Sequence, residues 1–141
     1  MALSALWNVV GVMRPVYQQI ISSNNGDCLR ACVASILELE IEHVPNFMEV
    51  PAEWYDSLCD FLCGYSLYPI QVDAGAAHDV GLKPLGYHVV LVDSHALVGK
   101  NGRIVHDPLP DPGNKQKYRR KREWILFGVA DPARLTTEEK R

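Results

Sequence analysis

Apolar and polar positions divide this chain into a helical first half and a stranded second half. From Cys28 onward, Leu29, Cys32, Val33, Ile36 and Leu37 fall on one stripe at helical spacing, which predicts a helix to about Leu39. The polar residues 22–26 precede it as a loop, and residues 15–19 are extended. Residues 38–45 hold a short turn that Pro45 stops. A second helix begins at Val50 and Pro51, since proline suits a first turn. Trp54, Leu58, Phe61 and Leu62 form its inner face, and Gly64 is placed to end it. Residues 65–72 alternate loosely, as a strand does, and the Gly/Ala-rich residues 73–84 read as a loop.

The period then changes. Tyr87–Val92 is rich in β-branched residues and predicts a buried strand. Residues 95–99 and 103–107 follow as two more, joined through Lys100-Asn101-Gly102; Asn-Gly between such runs is a strong hairpin signal. Residues 123–129 make the last strand, with Trp124, Ile125 and Phe127 contributing to the core. Helices first and an antiparallel sheet afterwards predict an α+β fold. No internal repeat or linker divides the chain, so residues 1–141 are expected to form a single domain. Residues 1–12 read equally as strand, helix or an extension ahead of an internal start at Met13, and residues 133–141 as a flexible tail.

Composition adds limits. The chain is 48% hydrophobic and 22% charged, ordinary for a globular protein, and its 141 residues are enough for one proper core. A net charge of -3 argues against a general nucleic-acid binder. The first twelve residues lack a basic segment and a cleavage site, and no apolar run reaches the roughly 18 residues of a membrane helix. A cytoplasmic protein with reduced thiols and no membrane association is expected.

Candidate chemistry centres on Cys28. Gly26 permits a sharp turn, and Asp27 is suited to cap the helix with its carboxylate. Cys28 then opens the helix, where the positive end of the dipole favours a thiolate, the form that acts as a nucleophile. A buried structural cysteine is the commoner role for such a residue, so a partner base decides the matter. A three-residue hairpin loop, Lys100-Asn101-Gly102 with Gly102 left-handed in a bulge, sets His95 directly across from Asp107. The two would then share a face at about 5 Å between Cβ atoms. The carboxylate would hold one ring nitrogen and leave the other to take a proton from a thiol. A two-residue loop would put them on opposite faces. His88, also on a strand ahead of Asp107, is the second candidate. His106 should face away from Asp107, and His43 and His78 read as surface residues.

This order of residues has a family likeness. A cysteine, a histidine opening a strand and an acidic residue closing the next resemble the papain-like cysteine peptidases. The block His-Ala-Leu-Val-Gly-Lys-Asn-Gly-Arg-Ile-Val-His-Asp-Pro, from His95 to Pro108, is similar to that of the bacteriocin-processing, double-glycine-leader peptidases of that clan. Gly-Asp-Cys-Leu-Arg-Ala-Cys resembles their nucleophile segment. With Val44-Pro45-Asn46-Phe47 and Trp54, the whole looks most like small papain-like proteins of bacteria and phages. The likeness covers about residues 14–132. It implies a nucleophile helix packed on a C-terminal antiparallel sheet, and a Cys28–His95–Asp107 triad that cleaves a peptide or isopeptide bond of a peptide or protein without a cofactor. It also implies a glutamine just before the cysteine, whose amide supports the oxyanion. Gln18 is the preferred residue and Gln19 the other. The nine residues between Gln18 and Cys28 exceed the family's usual gap, so residues 22–25 must loop out. The same constellation serves amidases, deamidases and acyltransferases, and a catalytically inactive member would bind a peptide or protein.

Two further features compete for a role. Cys28 and Cys32, and Cys59 and Cys63, each sit one turn apart, and four such thiols can hold zinc; small core residues are the preferred reading of Cys32, Cys59 and Cys63. The run KQKYRRKR, from Lys115 to Arg122, carries six basic residues in eight, and the rest of the chain then nets -9. It reads as a solvated loop, with docking of an acidic partner or a nucleic acid as its alternative.

Overall fold

A computed structural model of the protein describes residues 13–21, 26–110 and 122–129. The amino-terminal extension, the loop at 22–25, the basic run up to residue 121 and the tail lie outside the described residues.

The α+β expectation is met by one sheet of five strands with helices against it. The strands are β1 (Leu67–Asp73), β2 (Tyr87–Val92), β3 (His95–Lys100), β4 (Arg103–His106) and β5 (Glu123–Val129), in the order β1-β5-β2-β3-β4 with every neighbouring pair antiparallel. The last strand in the chain therefore sits inside the sheet, between β1 and β2. Helices α1 (Cys28–Leu37) and α2 (Trp54–Cys63) cover one face. Leu29, Cys32, Val33 and Ile36 of α1 and Leu58 and Leu62 of α2 are buried there with Val89, Ala96, Val98 and Ile125. Alternation along the strands sends Val90, Val92, Leu97 and Trp124 to the other face, under Ala74 and Ala77.

Several local expectations are corrected. The Asp73–Pro84 region is not all loop: Ala74–Asp79 forms a short helix, α3, because the Asp73 carboxylate caps it by accepting from the Ala76 N–H at 2.8 Å. Gly64 does end α2, as expected, but with right-handed backbone (φ -63°), and the left-handed turn falls two residues later at Ser66 (φ 59°). The first helix stops at Leu37, where left-handed Glu38 directs its N–H back to the Ser35 and Ala34 carbonyls. Of the thiols expected to be core, Cys32 is buried, Cys59 is half-buried and Cys63 is exposed.

Residues 13–21 strap the first helix to the sheet. The Arg14 N–H donates to the Ser35 carbonyl, the Val16 N–H to Ser35 Oγ, and the Gln18 N–H to the Pro108 carbonyl. His106 closes the circuit, its Nε2–H donating to the Val16 carbonyl at 2.7 Å while its ring meets Tyr17 edge-on. These bonds tie the N-terminal half of the site to the hairpin that carries the other half. Among the described residues no helix is long and apolar enough to cross a membrane.

Candidate active site

The site lies where the N-terminus of α1 meets the β2–β3 turn. Val92 pairs with His95, so the turn is the two residues Asp93 and Ser94, and Ser94 takes the left-handed conformation (φ 57°). His95 is thus the first residue of its strand, at an open end of the sheet. Its Nε2 lies 2.9 Å from Asp107 Oδ1, and the two side chains are only 9% and 15% exposed. The same carboxylate oxygen accepts the Leu109 N–H at 3.0 Å, which fixes its direction. With Nε2–H donated to Asp107, Nδ1 is the imidazole nitrogen with proton-accepting capacity.

The His95–Asp107 pair was expected from a three-residue loop, and the hairpin forms it differently. Lys100 pairs with Arg103, leaving a two-residue loop of left-handed Asn101 and Gly102 (φ 52° and 87°), the backbone a tight hairpin turn requires. Gly99 faces Ile104, but Val98 faces His106. Val105 is therefore an extra residue, a bulge that resets the register further up the strand. Asp107 follows the last paired residue, beyond strict alternation, and reaches His95 from there. His106 turns to the strap, away from Asp107, as alternation predicts.

Cys28 and His95 line one cavity of about 250 Å³, with Leu29, Met48, Trp54 and Leu91 among its walls. Leu91 and Val92, at the end of β2, also line it. The backbone N–H groups of Ala96, Leu29 and Cys28 itself lie toward the Cys28 sulfur and favour its thiolate. Its contact with Ala96 places the thiol beside the residue that follows His95.

Asp27 does not cap the helix as expected. Its carboxylate is fully buried, and Oδ1 accepts the N–H groups of Gln19 and Ile20 at 2.9 and 2.8 Å. Oδ2 meets the Arg30 guanidinium at 3.4 Å, whose Nε–H is anchored on the Ile41 and Val44 carbonyls. The aspartate holds the strap, and the first-turn N–H groups are left to the Cys28 sulfur. The expected lowering of the Cys28 pKa is reversed: burial pushes the thiol up, the three N–H groups pull against it without prevailing, and the negative Asp27 adds a smaller upward push. Cys32, one turn on, is pushed up much further by full burial, with the charges of Cys28 and Asp107 adding to it, and is a core residue.

The remaining candidates take other places. Gln18 is buried, its Nε2 donates to the Ile20 carbonyl at 2.9 Å, and it is not among the residues lining the cavity. Gln19 is exposed and engages Asp27 through its backbone. His88 is fully buried, with Nδ1 donating to the Gly86 carbonyl and its ring edge-on to Trp124. It fills the space over Gly99, where a Cβ would lie 2.4 Å from Nε2. His43 and His78 are exposed. Among the described residues no three His, Cys, Asp or Glu side chains converge as a metal ligand set. Arg122, the described end of the basic run, pairs with Asp93 at the β2–β3 turn and donates its N–H to the Leu91 carbonyl. Sequence reasoning missed the strap function of Asp27 and the cavity role of Met48. Asp27 carries a readable signal, since a buried carboxylate demands donors, but which donors depends on the fold.

Comparisons with protein-family models, with curated proteins and with solved structures found no match to this chain.

Proposed function

We propose that the protein is a papain-like cysteine hydrolase that cleaves an amide bond, with peptide or isopeptide bonds as its leading substrates. The observation that carries the reading is the imidazole of His95, held by Asp107 through Nε2 in the same cavity as the Cys28 thiol. Its Nδ1 takes the thiol proton as the sulfur attacks the carbonyl carbon, so a C–S bond forms and the carbonyl becomes an oxyanion. The raised thiol fits a general-base role, because the resting site holds the proton on sulfur and His95 takes it as the attack begins. First-turn N–H groups, those of Cys28 and Leu29, offer donors to the oxyanion as they leave the sulfur. His95 then returns the proton to the leaving nitrogen as the C–N bond breaks. A water, deprotonated by the same imidazole, hydrolyses the thioester. Gln18 enters this scheme through the Ile20 backbone it holds.

The test is labelling of the intact chain with a peptidyl epoxysuccinate, whose ring opening needs both a thiol nucleophile and a proton donor. Cys28 should be modified in the wild type, and His95→Ala should abolish this while exposed Cys63 still reacts with iodoacetamide. Equal labelling of Cys28 in both proteins would sink the catalytic reading. The buried, protonated thiol also favours a second reading, a non-catalytic peptide-binding module. That reading expects peptide binding that survives Cys28→Ala, with no turnover in the wild type.

A further inference from the structure

We propose that the loop at residues 80–86 docks the protein on an anionic membrane surface, with Val80, Leu82 and Leu85 inserted among the headgroups and Lys83, Lys100 and Arg103 facing their negative charge. This goes beyond the hydrolase reading and does not depend on it.

The loop inverts the usual sorting of side chains. Pro84 and Gly86 are buried, whereas Val80, Leu82 and Leu85 are 70%, 60% and 79% exposed. Single exposed aliphatics are ordinary, but three this close in sequence form a patch that marks an interaction surface. The backbone beneath them is fixed at both ends. The Leu82 N–H donates to the Ala77 carbonyl at 2.8 Å. The Gly86 N–H donates to Asn101 Oδ1 at 2.8 Å, and the Asn101 N–H donates back to the Gly86 carbonyl at 3.1 Å. Gly81 and Gly86 supply the left-handed turns (φ 75° and 74°). The aliphatic groups are therefore displayed by a preorganised loop.

Charge selects the occupant. Residues 80–92 and 94–106 contain no Asp or Glu. Lys83 lies along Gly102 at the tip of the β3–β4 hairpin, and Lys100 and Arg103 flank that tip. Among the described residues none of these three cations pairs with a carboxylate. Asp79, just ahead of the loop, is the nearest acid in sequence, so this end is positive on a chain of net charge -3. A two-fold contact between copies would bring like charges together. The apolar members are all aliphatic, whereas protein interfaces centre on Trp, Tyr and Arg. Aliphatic groups on an outward loop with cations beside them suit an anionic lipid interface. Among the described residues no helix spans a membrane, and surface docking needs none. Tyr87 pairs with Lys100 and Val92 with His95, so the patch and the site lie at opposite ends of the same two strands. Six residues place them about 17 Å apart at roughly 3.4 Å per step. A docked molecule thus holds Cys28 and His95 clear of the bilayer.

The experiment is cosedimentation of the full chain with vesicles of phosphatidylcholine, alone or mixed equally with phosphatidylglycerol. The mixed vesicles should bind on the order of tenfold tighter or more, since each cation near an anionic surface contributes about fivefold. High salt should remove most of that difference. Leu82→Ser with Leu85→Ser, and separately Lys83→Glu with Arg103→Glu, should each weaken binding to the mixed vesicles about tenfold. Melting temperatures should not change, because all four side chains are exposed. Leu85→Trp should keep the binding and add fluorescence that acyl-brominated lipid quenches. Equal or absent binding to the two vesicles would overturn the inference. So would binding that survives the double leucine variant, which would assign it to cations elsewhere, such as those of residues 115–121. A lipid-free dimer that the same variant dissociates would give the patch to a second copy and overturn it too.

Discussion

His88 and His95 stand on neighbouring strands, each close to a carbonyl or carboxylate partner, yet their surroundings differ in kind. His88 lies inside β2, fully buried, with its ring clamped between Gly99 and Trp124 and its Nδ1–H on the Gly86 carbonyl. His95 opens β3 at the end of the sheet, backed by Asp107 and facing a cavity with a thiol. Each has a ring nitrogen in a hydrogen bond, so that bond does not separate them. Position along the strand does. A residue in the middle of a central strand is enclosed by its neighbours, whereas one at the strand's end can face a space that a substrate enters.

The largest expected effect removes the setting of both. Truncation after Arg122 takes away β5, which lies between β1 and β2 and carries buried Trp124 and Ile125. It would split the sheet and strip His88 of its aromatic neighbour. Loss of a cooperative thermal transition is expected; unchanged melting would make β5 peripheral.

Next comes the chemical contrast. His95→Ala should lower turnover by about 10²–10⁴-fold with little change in melting temperature. Asp107→Asn should cost less, because it disturbs orientation and tautomer and leaves the base in place. His88→Ala should leave the chemistry intact. Kinetics in which His88 is essential and His95 dispensable would reverse the assignment.

A stability contrast is smaller. Gly99→Ala pushes a methyl group into His88 Nε2 and Val90 and should cost about 1–3 kcal/mol by chemical denaturation, with per-molecule activity of the folded fraction unchanged. No loss of stability would show that the His88 ring can shift freely.

The smallest effect asks whether burial, which makes His88 structural, also governs Cys28. The alkylation rate of Cys28 should rise with pH through a midpoint above the ordinary cysteine range, since desolvation disfavours the thiolate. Asp27→Asn removes a nearby negative charge and should move that midpoint down slightly, while the amide oxygen can still accept from the strap. A wild-type midpoint below the ordinary range would mean that the converging N–H groups outweigh burial.

Much of this was legible in one dimension. The stripe from Leu29 to Ile36, the β-branched run at residues 87–92 and the Asn-Gly turn specify their elements because burial periodicity and turn chemistry are local. The pairing of His95 with Asp107 was also foreseen, but from a loop length that proved wrong. A two-residue turn, a bulge at Val105 and a strand end together reach the same contact. Burial of Cys28, the choice of strap donors by Asp27, the insertion of β5 and the apolar walls of the cavity were decided only in the tertiary structure. Each depends on groups distant in sequence. A thiol's pKa follows the solvent it loses, and a buried carboxylate follows the donors that the fold brings to it.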